Sequence, residues 1–275
     1  MTAVNSARRG AVEAANSGVL AGLTRMGFVG YGLLHLAIGW LAVQIALGKA
    51  ADTGDQSGAL RTLAAQPFGR FLLILIVVGL FAMAVWQLLL AAVGHRNKHG
   101  KSRTFERLAS AARVVVYTAL AVTGIGVVTG AQSSSADQQQ QATAGIMAKP
   151  AGVWFVGLAG LAVIAVGVGL IYYGAKRLFE EKLLTGQMSH RTRMLARRLG
   201  TVGYVAKGIA FGIVGVLLVD AALTHNPAQS RGLDAALRSL VQQPYGLFSL
   251  LAVAAGFVAF GVYCFIQSRY RKVGT

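Results

Sequence analysis

Acidic residues, and charged residues in general, are scarce in this sequence. Asp and Glu account for only 9 of 275 residues and charged residues for 13% of the chain, whereas a soluble domain carries about 25% charged residues. Hydrophobic residues make up 55% of the chain. This composition excludes an ordinary water-soluble enzyme domain.

Cysteine and proline are scarce as well. The single cysteine, Cys264, excludes an intramolecular disulfide framework. Four prolines beside 35 glycines argue against a disordered or collagen-like chain and are typical of membrane helices. We therefore predict an integral membrane protein.

Six apolar stretches have the length of about 20 residues that a helix needs to cross a bilayer. The first is longer than the apolar core of a signal peptide and no cleavage site follows it promptly, so we expect it to be retained. The fold class is thus predicted to be all-α and polytopic. The predicted spans are residues 27–47, 69–93, 108–130, 151–173, 199–223 and 245–267.

The basic residues are concentrated on one side of the predicted membrane. Both chain ends and the loops at 94–107 and 174–198, taken with Arg113 and Lys207, hold 20 of the 26 Lys and Arg residues. The other loops, with Arg70, hold six. By the positive-inside rule, both termini and both basic loops are predicted to be cytoplasmic.

Two basic runs lie directly beside predicted helix ends, at residues 96–103 and 191–198. Membrane topology and anionic lipid account for such runs, so we expect no nucleic-acid partner. A partner membrane protein stays open, as does the oligomeric state. The predicted ligands of anionic headgroups are Arg191, Arg193, Arg197, Arg198, Arg96 and Lys98.

The second helix of each successive pair begins with the same short motif, which predicts a threefold internal repeat. Proline is favoured at the first position of a helix because its missing N–H has no partner there in any case. The three copies are Gln66-Pro67-Phe68-Gly69, Lys149-Pro150-Ala151-Gly152 and Gln243-Pro244-Tyr245-Gly246.

The first helices of the outer repeats share a glycine and tyrosine pattern at a constant offset. We expect the tyrosines, one per repeat, to form an interfacial aromatic belt. In the middle repeat Arg113 and Val116 replace the paired glycines. The matching residues are Gly27, Gly30, Tyr31 and Gly39 with Gly200, Gly203, Tyr204 and Gly212, and Tyr117 in the middle repeat.

The loops of the outer repeats also match. Residues 59–63 and 236–240 read as short amphipathic helices on the outer surface, whereas residues 133–141 of the middle repeat are polar and of low complexity and need not pack. Two spans per repeat make successive repeats parallel, which suggests three helical hairpins around a pseudo-threefold axis. Small-residue pairs such as Gly126 and Gly130, or Gly208 and Gly212, suit close helix contact.

These boundaries divide the chain into seven parts: an N-terminal tail (1–22), repeat 1 (23–94), a basic loop (95–107), repeat 2 (108–176), a second basic loop (177–197), repeat 3 (198–268) and a C-terminal tail (269–275). With its Gly-x-x-Gly-Tyr entries and Pro-x-Gly starts, the chain from about Leu23 to Tyr270 resembles the bacterial membrane proteins catalogued as domain of unknown function 1206. The resemblance implies a bacterial plasma membrane and no established catalytic or binding residue.

Polar residues within the spans are the first candidates for function because they are costly there. His35 and Lys207 each lie about eight residues into a helix, roughly 12 Å from its cytoplasmic end. We predict that they face a shared space lined by Gln44 and Thr123 and serve as a proton or anion station. Alternatively, Lys207 snorkels to the interface and His35 donates to a carbonyl of a neighbouring helix.

No pattern indicates a cofactor, a metal site or catalysis. A haem held by two histidines needs a second intramembrane histidine, and His95 and His99 lie between glycines without further ligands. Asp220 near a helix end reads as a cap or interfacial residue. We therefore expect no enzymatic activity.

Two functional classes stay open. One is a transport or channel-like protein with a small polar site at His35 and Lys207. The other is an assembly or scaffold protein whose basic cytoplasmic face binds anionic lipid or a partner complex. The small number of intramembrane polar groups argues against a large hydrophilic substrate passage, because such a path needs several donors and acceptors to replace hydration. We place the transport class slightly ahead of the scaffold class.

Overall fold

Helices account for nearly all of the structure. The computed structural model describes residues 18–49, 53–94, 100–130 and 134–272, and within these ranges it contains nine α-helices. Six are long: α1 (Gly18–Ala46), α3 (Gly69–Val93), α4 (Gly100–Val128), α6 (Gly152–Ala175), α7 (His190–Thr224) and α9 (Gly246–Tyr270). Three are short: α2 (Gln56–Ala64), α5 (Ser135–Met147) and α8 (Leu233–Val241).

The six long helices are long and apolar enough to cross a membrane, which supports a multi-pass membrane protein. Three of them begin earlier than the predicted spans, at Gly18 rather than 27, at Gly100 rather than 108 and at His190 rather than 199. The first turns of α4 and α7 are polar, so an apolar window does not detect them. The start of α7 is instead fixed by Ser189, whose hydroxyl accepts a hydrogen bond from the Thr192 N–H.

The long helices form a ring in the order α4, α3, α1, α9, α7, α6. Neighbouring repeats meet at three equivalent pairs, α3 with α4, α6 with α7, and α9 with α1. Within a repeat, α1 packs on α3 and α7 packs on α9, whereas α4 and α6 scarcely touch. The three-repeat, all-α prediction is confirmed, and the ring carries one seam, between α4 and α6.

The Gly-x-x-Gly motif explains where the seam lies. A Cβ at Gly30 would sit 3.1 Å from the Cα of Gly79 in α3, and one at Gly203 would sit 2.7 Å from the Cα of Phe260 in α9. Helices approach this closely only through small residues. The middle repeat has Arg113 and Val116 at these positions, so its two helices lack the small residues that bring the others into contact.

The Pro-x-Gly motif is a sharp turn that requires its glycine. The residue before each glycine has a left-handed conformation, with φ of 61° at Phe68, 60° at Ala151 and 64° at Tyr245. A Cβ on Gly69 would lie 1.9 Å from the carbonyl oxygen of Leu63 at the end of α2, and Gly152 and Gly246 are crowded in the same way. Only glycine fits where the short helix turns into the long one.

The three short helices lie at one end of the ring, which we call the cap face; the opposite end is the terminal face. Asp55 of repeat 1 accepts a hydrogen bond from the Ala136 N–H of repeat 2 (2.7 Å). Asp137 of repeat 2 pairs with Arg231 of repeat 3 at 2.8 Å. Asp234 of repeat 3 accepts from the Gly54 N–H of repeat 1. The cap is thus closed by a cycle of three contacts, each joining one repeat to the next.

This cycle corrects one expectation. The polar segment of the middle repeat does pack: residues 135–147 form α5, capped by the Ser134 hydroxyl, and Ser134 and Ala136 are buried. The reason is tertiary, since the buried Asp55 carboxylate accepts from its first turn. Burial raises the pKa of the neighbouring cap residue Asp234, but hydrogen bonds from Gly54 and Arg238 outweigh burial and hold that pKa below its usual value.

Candidate functional site

Lys207 lies inside the ring, on α7, and its ammonium is held by aromatic groups. Its Nζ donates a hydrogen bond to the Tyr31 hydroxyl oxygen on α1 (2.9 Å) and lies 4.0 Å from the ring centroid of Phe260 on α9. The side chain is 8% exposed. It is directed into the bundle and does not snorkel. Within the described ranges, no carboxylate forms an ion pair with Lys207.

His35 lies on the same two aromatic rings. Its ring centroid is 4.3 Å from that of Tyr31 and 4.7 Å from that of Phe260, and the residue is 4% exposed. Its Nδ1 is 2.8 Å from the Tyr31 carbonyl oxygen, one turn earlier in α1. A carbonyl oxygen only accepts, so Nδ1 carries a proton, and Nε2 is the basic nitrogen of the neutral ring. The acceptor is in its own helix, not in a neighbouring one as the alternative supposed.

The three repeat tyrosines lie in the interior, so the prediction of an interfacial belt is wrong for them. Tyr31 contacts the Tyr117 ring edge-on at 5.3 Å and Phe260 at 6.0 Å, and Phe260 in turn contacts Tyr204 at 5.1 Å. The cluster joins α4, α1, α9 and α7 across the ring. Tyr31 and Tyr204 each follow a close-contact glycine directly. Tyr117 occupies the equivalent position of the middle repeat, so all three side chains are directed inward.

Each repeat carries an exposed aromatic residue at the cap end of the bundle, at an equivalent position. Two residues after each motif glycine, Phe71, Trp154 and Phe248 are 67%, 77% and 69% exposed. This position carries an aromatic residue in all three repeats, and aromatic side chains are typical of the membrane interface. The three residues occupy one position of the sequence repeat, so this position was predictable as interfacial from the repeat alone.

Two other predicted residues of the polar site have local roles. The Thr123 hydroxyl donates to the carbonyl of Ala119 in its own helix (3.0 Å). Gln44 is half-buried near the end of α1. Among the described residues, neither side chain forms a hydrogen bond with His35 or Lys207. Asp220 is half-buried near the cap end of α7, where the Thr224 hydroxyl donates to its carbonyl.

Sequence reasoning missed the aromatic cluster that lies next to Lys207 on the terminal face. Phe179, in the 3₁₀ turn at Leu178–Lys182, is fully buried and stacks on Tyr204, with ring centroids 5.5 Å apart. Its ring occupies the space above Gly200, where an added Cβ would meet it at 2.5 Å. A short apolar sequence inside a basic loop offers no periodic pattern from which this could be predicted.

The predicted headgroup ligands differ in their surroundings. Arg191, Arg193 and Arg198 are exposed on the first turns of α7. Arg197 instead pairs with Glu180 (2.7 Å), and the hydrogen bond from Arg197 lowers the pKa of the Glu180 carboxyl. Arg96 and Lys98 lie outside the described residues, as do His95 and His99.

The comparisons agree with the repeats seen in the structure. The sequence pattern of the family described as Domain of Unknown Function (DUF1206) matches residues 26–94, 108–177 and 202–271. The chain is similar to "Uncharacterized protein YxxB" of Bacillus subtilis (strain 168), with 31% identity over 251 residues that cover 90% of each chain. No solved structure matches the chain. Each matched stretch contains one pair of long helices, and the chain belongs to the family of Domain of Unknown Function 1206.

Proposed function

We propose that this protein is a transport or channel-like membrane protein whose interior station for a small anion or a proton is formed by Lys207, His35 and Tyr31. The observation that carries the proposal is the Lys207 ammonium, buried within the ring with no carboxylate partner among the described residues. An ionisable group at such a place is expensive and is by default a candidate functional site.

The hydrogen bonding of Lys207 supports an anionic ligand. An ammonium has three N–H donors, and within the described part of the chain the Tyr31 hydroxyl is its recorded hydrogen-bond acceptor. The face of Phe260 compensates part of the charge through its quadrupole. The remaining donors are available to an anion or to water, and binding there offsets the cost of burying the charge.

His35 provides the proton-accepting group of this proposal. Its Nδ1–H is engaged by the Tyr31 carbonyl, so a proton arriving from solvent adds at Nε2. Because both residues contact Tyr31 and Phe260, a charge on one changes the potential at the other. We place both termini in the cytoplasm of a bacterial cell, on the charge count given above, and infer no enzymatic step.

The proposal requires water to reach the station. In a Cys264→Ser background, single cysteines at positions 35 and 207 are treated with a membrane-impermeant thiol reagent from each side of sealed vesicles. The matched control is Ile209→Cys, on the same helix but 42% exposed on the outside of the ring. Ser189→Cys and Ala228→Cys, at the terminal and cap faces, report the orientation of the protein and the activity of the reagent.

Labelling at 35 and 207 but not at 209 is the expected result. A dry interior, with both face controls reactive, would rule the proposal out. Flux of protons or iodide into dye-loaded vesicles then tests the function itself: Lys207→Gln is expected to abolish flux, while Gln44→Leu, outside the cluster, retains it.

A second candidate is an assembly or lipid-binding role for the terminal face. It is favoured by Arg191, Arg193 and Arg198, which are exposed together on α7 and form no ion pair within the described ranges. Replacing all three with glutamine should reduce the number of anionic lipids that the purified protein retains in native mass spectrometry. Retention of a zwitterionic lipid should not change.

A further inference from the structure

A groove with a largely apolar wall lies between α6 and α7 and runs along these helices from the cap face toward the depth of the bilayer centre. Its volume is about 620 Å³, within the range of small-ligand sites. The wall includes Trp154, Leu158 and Leu161 from α6 and Val219 and Leu223 from α7.

The length of the groove matches one leaflet of a bilayer. Leu161 lies nine residues after Gly152, where α6 begins, which is roughly 13 Å along the helix axis. Half of the hydrocarbon core is about 15 Å thick. The groove therefore extends from the interface nearly to the bilayer centre, the path that one acyl chain takes.

Charge is present only at the cap end of the groove. Lys149 and His225 line it there, and the described residues that form its wall include no acidic side chain. Both are exposed. A lysine near a membrane surface attracts anionic lipid by about 1 kcal/mol, so this end complements an anionic headgroup while the rest of the groove complements a hydrocarbon chain.

Both basic residues are departures from the repeat pattern. Repeats 1 and 3 have Gln66 and Gln243 where the middle repeat has Lys149. The first helices of repeats 1 and 2 are followed by left-handed glycines, Gly48 and Gly130, whereas α7 is followed by His225 with φ of 53°. His225 thus places an imidazole where the other two repeats have no side chain.

The structure assigns this groove to a membrane lipid with an anionic headgroup, bound with its headgroup at Lys149 and His225 and an acyl chain along Leu158 and Leu161. The site is on the opposite face from the exposed arginines and separate from Lys207. The inference does not depend on the proposed transport function.

Tryptophan quenching by brominated lipid tests the assignment, because Trp154 lines the groove. The protein is reconstituted in nanodiscs of phosphatidylcholine and phosphatidylglycerol at a fixed ratio, with bromine on the chains of either one or the other. The Trp40→Phe variant leaves Trp154 and Trp86 as emitters, and the Trp154→Phe variant leaves Trp40 and Trp86. Trp86 is 2% exposed and Trp40 is 56% exposed, so both variants share one buried background.

Brominated phosphatidylglycerol is expected to quench Trp154 more than brominated phosphatidylcholine does at equal mole fraction, with a preference of roughly fivefold for one lysine. Trp40 should show no preference. The double variant Lys149→Gln, His225→Gly has the residue types of the other repeats and should lose the preference. Circular dichroism should show that its fold is unchanged.

Equal quenching of Trp154 by the two lipids would overturn the assignment. It is also overturned if the preference persists in the double variant. Neither result depends on flux or on Lys207 labelling, so the groove and the interior station succeed or fail separately.

Discussion

Replacing Asp55 with alanine is expected to destabilise the cap more than any change on its surface. The Asp55 carboxylate is fully buried. Its Oδ1 accepts from the Thr53 hydroxyl (2.9 Å), the Ser57 hydroxyl (2.7 Å) and the Gly58 N–H (2.8 Å). Its Oδ2 accepts from the Ala136 N–H (2.7 Å). One side chain therefore caps α2 and holds the first turn of α5.

The magnitude follows from these four bonds. Loss of a capping side chain costs about 1 kcal/mol per helix, and two helices are affected. Two hydroxyls lose a charged acceptor, at about 1.5 kcal/mol each. Part of this sum is offset because a buried carboxylate and its desolvation cost are removed. We expect Asp55→Ala to lower the free energy of unfolding by about 3–5 kcal/mol.

Asp55→Asn separates the two roles. The asparagine oxygen can still cap α2, but its NH₂ group would face the Ala136 N–H, so that two donors meet. We expect this variant to lower the free energy of unfolding by about 1–2 kcal/mol. Asp137→Asn is the control, because Asp137 is 45% exposed in its pair with Arg231 and such pairs contribute under about 1 kcal/mol. Equilibrium unfolding in mixed detergent micelles measures all three. A loss below about 1 kcal/mol for Asp55→Ala, or one equal to that of the control, would refute the reasoning.

Three further predictions concern stability. The pKa of Asp234 is lowered in the folded protein. Its contribution to the free energy of unfolding is therefore fully present above its unfolded pKa of about 3.9 and is lost as the pH falls through the lower folded pKa. Asp234→Asn should make stability less dependent on pH in that range. Gly256→Ala should cost about 1–3 kcal/mol, since its Cβ would lie 2.0 Å from that of Ala206, while Gly169→Ala, with nothing within 4 Å, should be neutral or stabilising in the same unfolding assay. Ala151→Gly should raise the unfolding free energy by up to about 1 kcal/mol because it relieves a left-handed alanine, and a lower midpoint would contradict this.

The spans, the repeat and its weak point were predictable from local patterns. Apolar runs of spanning length need no tertiary information, and the Pro-x-Gly turns are fixed by backbone sterics that act within a few residues. The loss of paired glycines at Arg113 and Val116 marked the repeat in which the ring opens. It did not reveal which helices would separate, because that depends on partners supplied by the other repeats.

Other features depended on contacts between residues far apart in the chain. Residues 133–141 read as a polar segment that need not pack, whereas the structure places a helix at Ser135–Met147 whose first turn donates to Asp55. Phe179 gave no periodic signal, and its burial depends on the space above Gly200. The tyrosines were predicted to be interfacial because the sequence gives their depth along the helix. It does not give whether their side chains are directed toward the lipid or toward the bundle.

The sequence by itself determined that this chain is a membrane protein with six spanning segments in three repeats, because hydropathy, helix length and turn sterics are local properties. Only the tertiary structure decided that Lys207 and His35 share two aromatic rings, that three acidic residues close the cap, and that the ring is open between α4 and α6. Each of these depends on how helices rotate and approach one another, and side-chain packing across repeats sets that geometry.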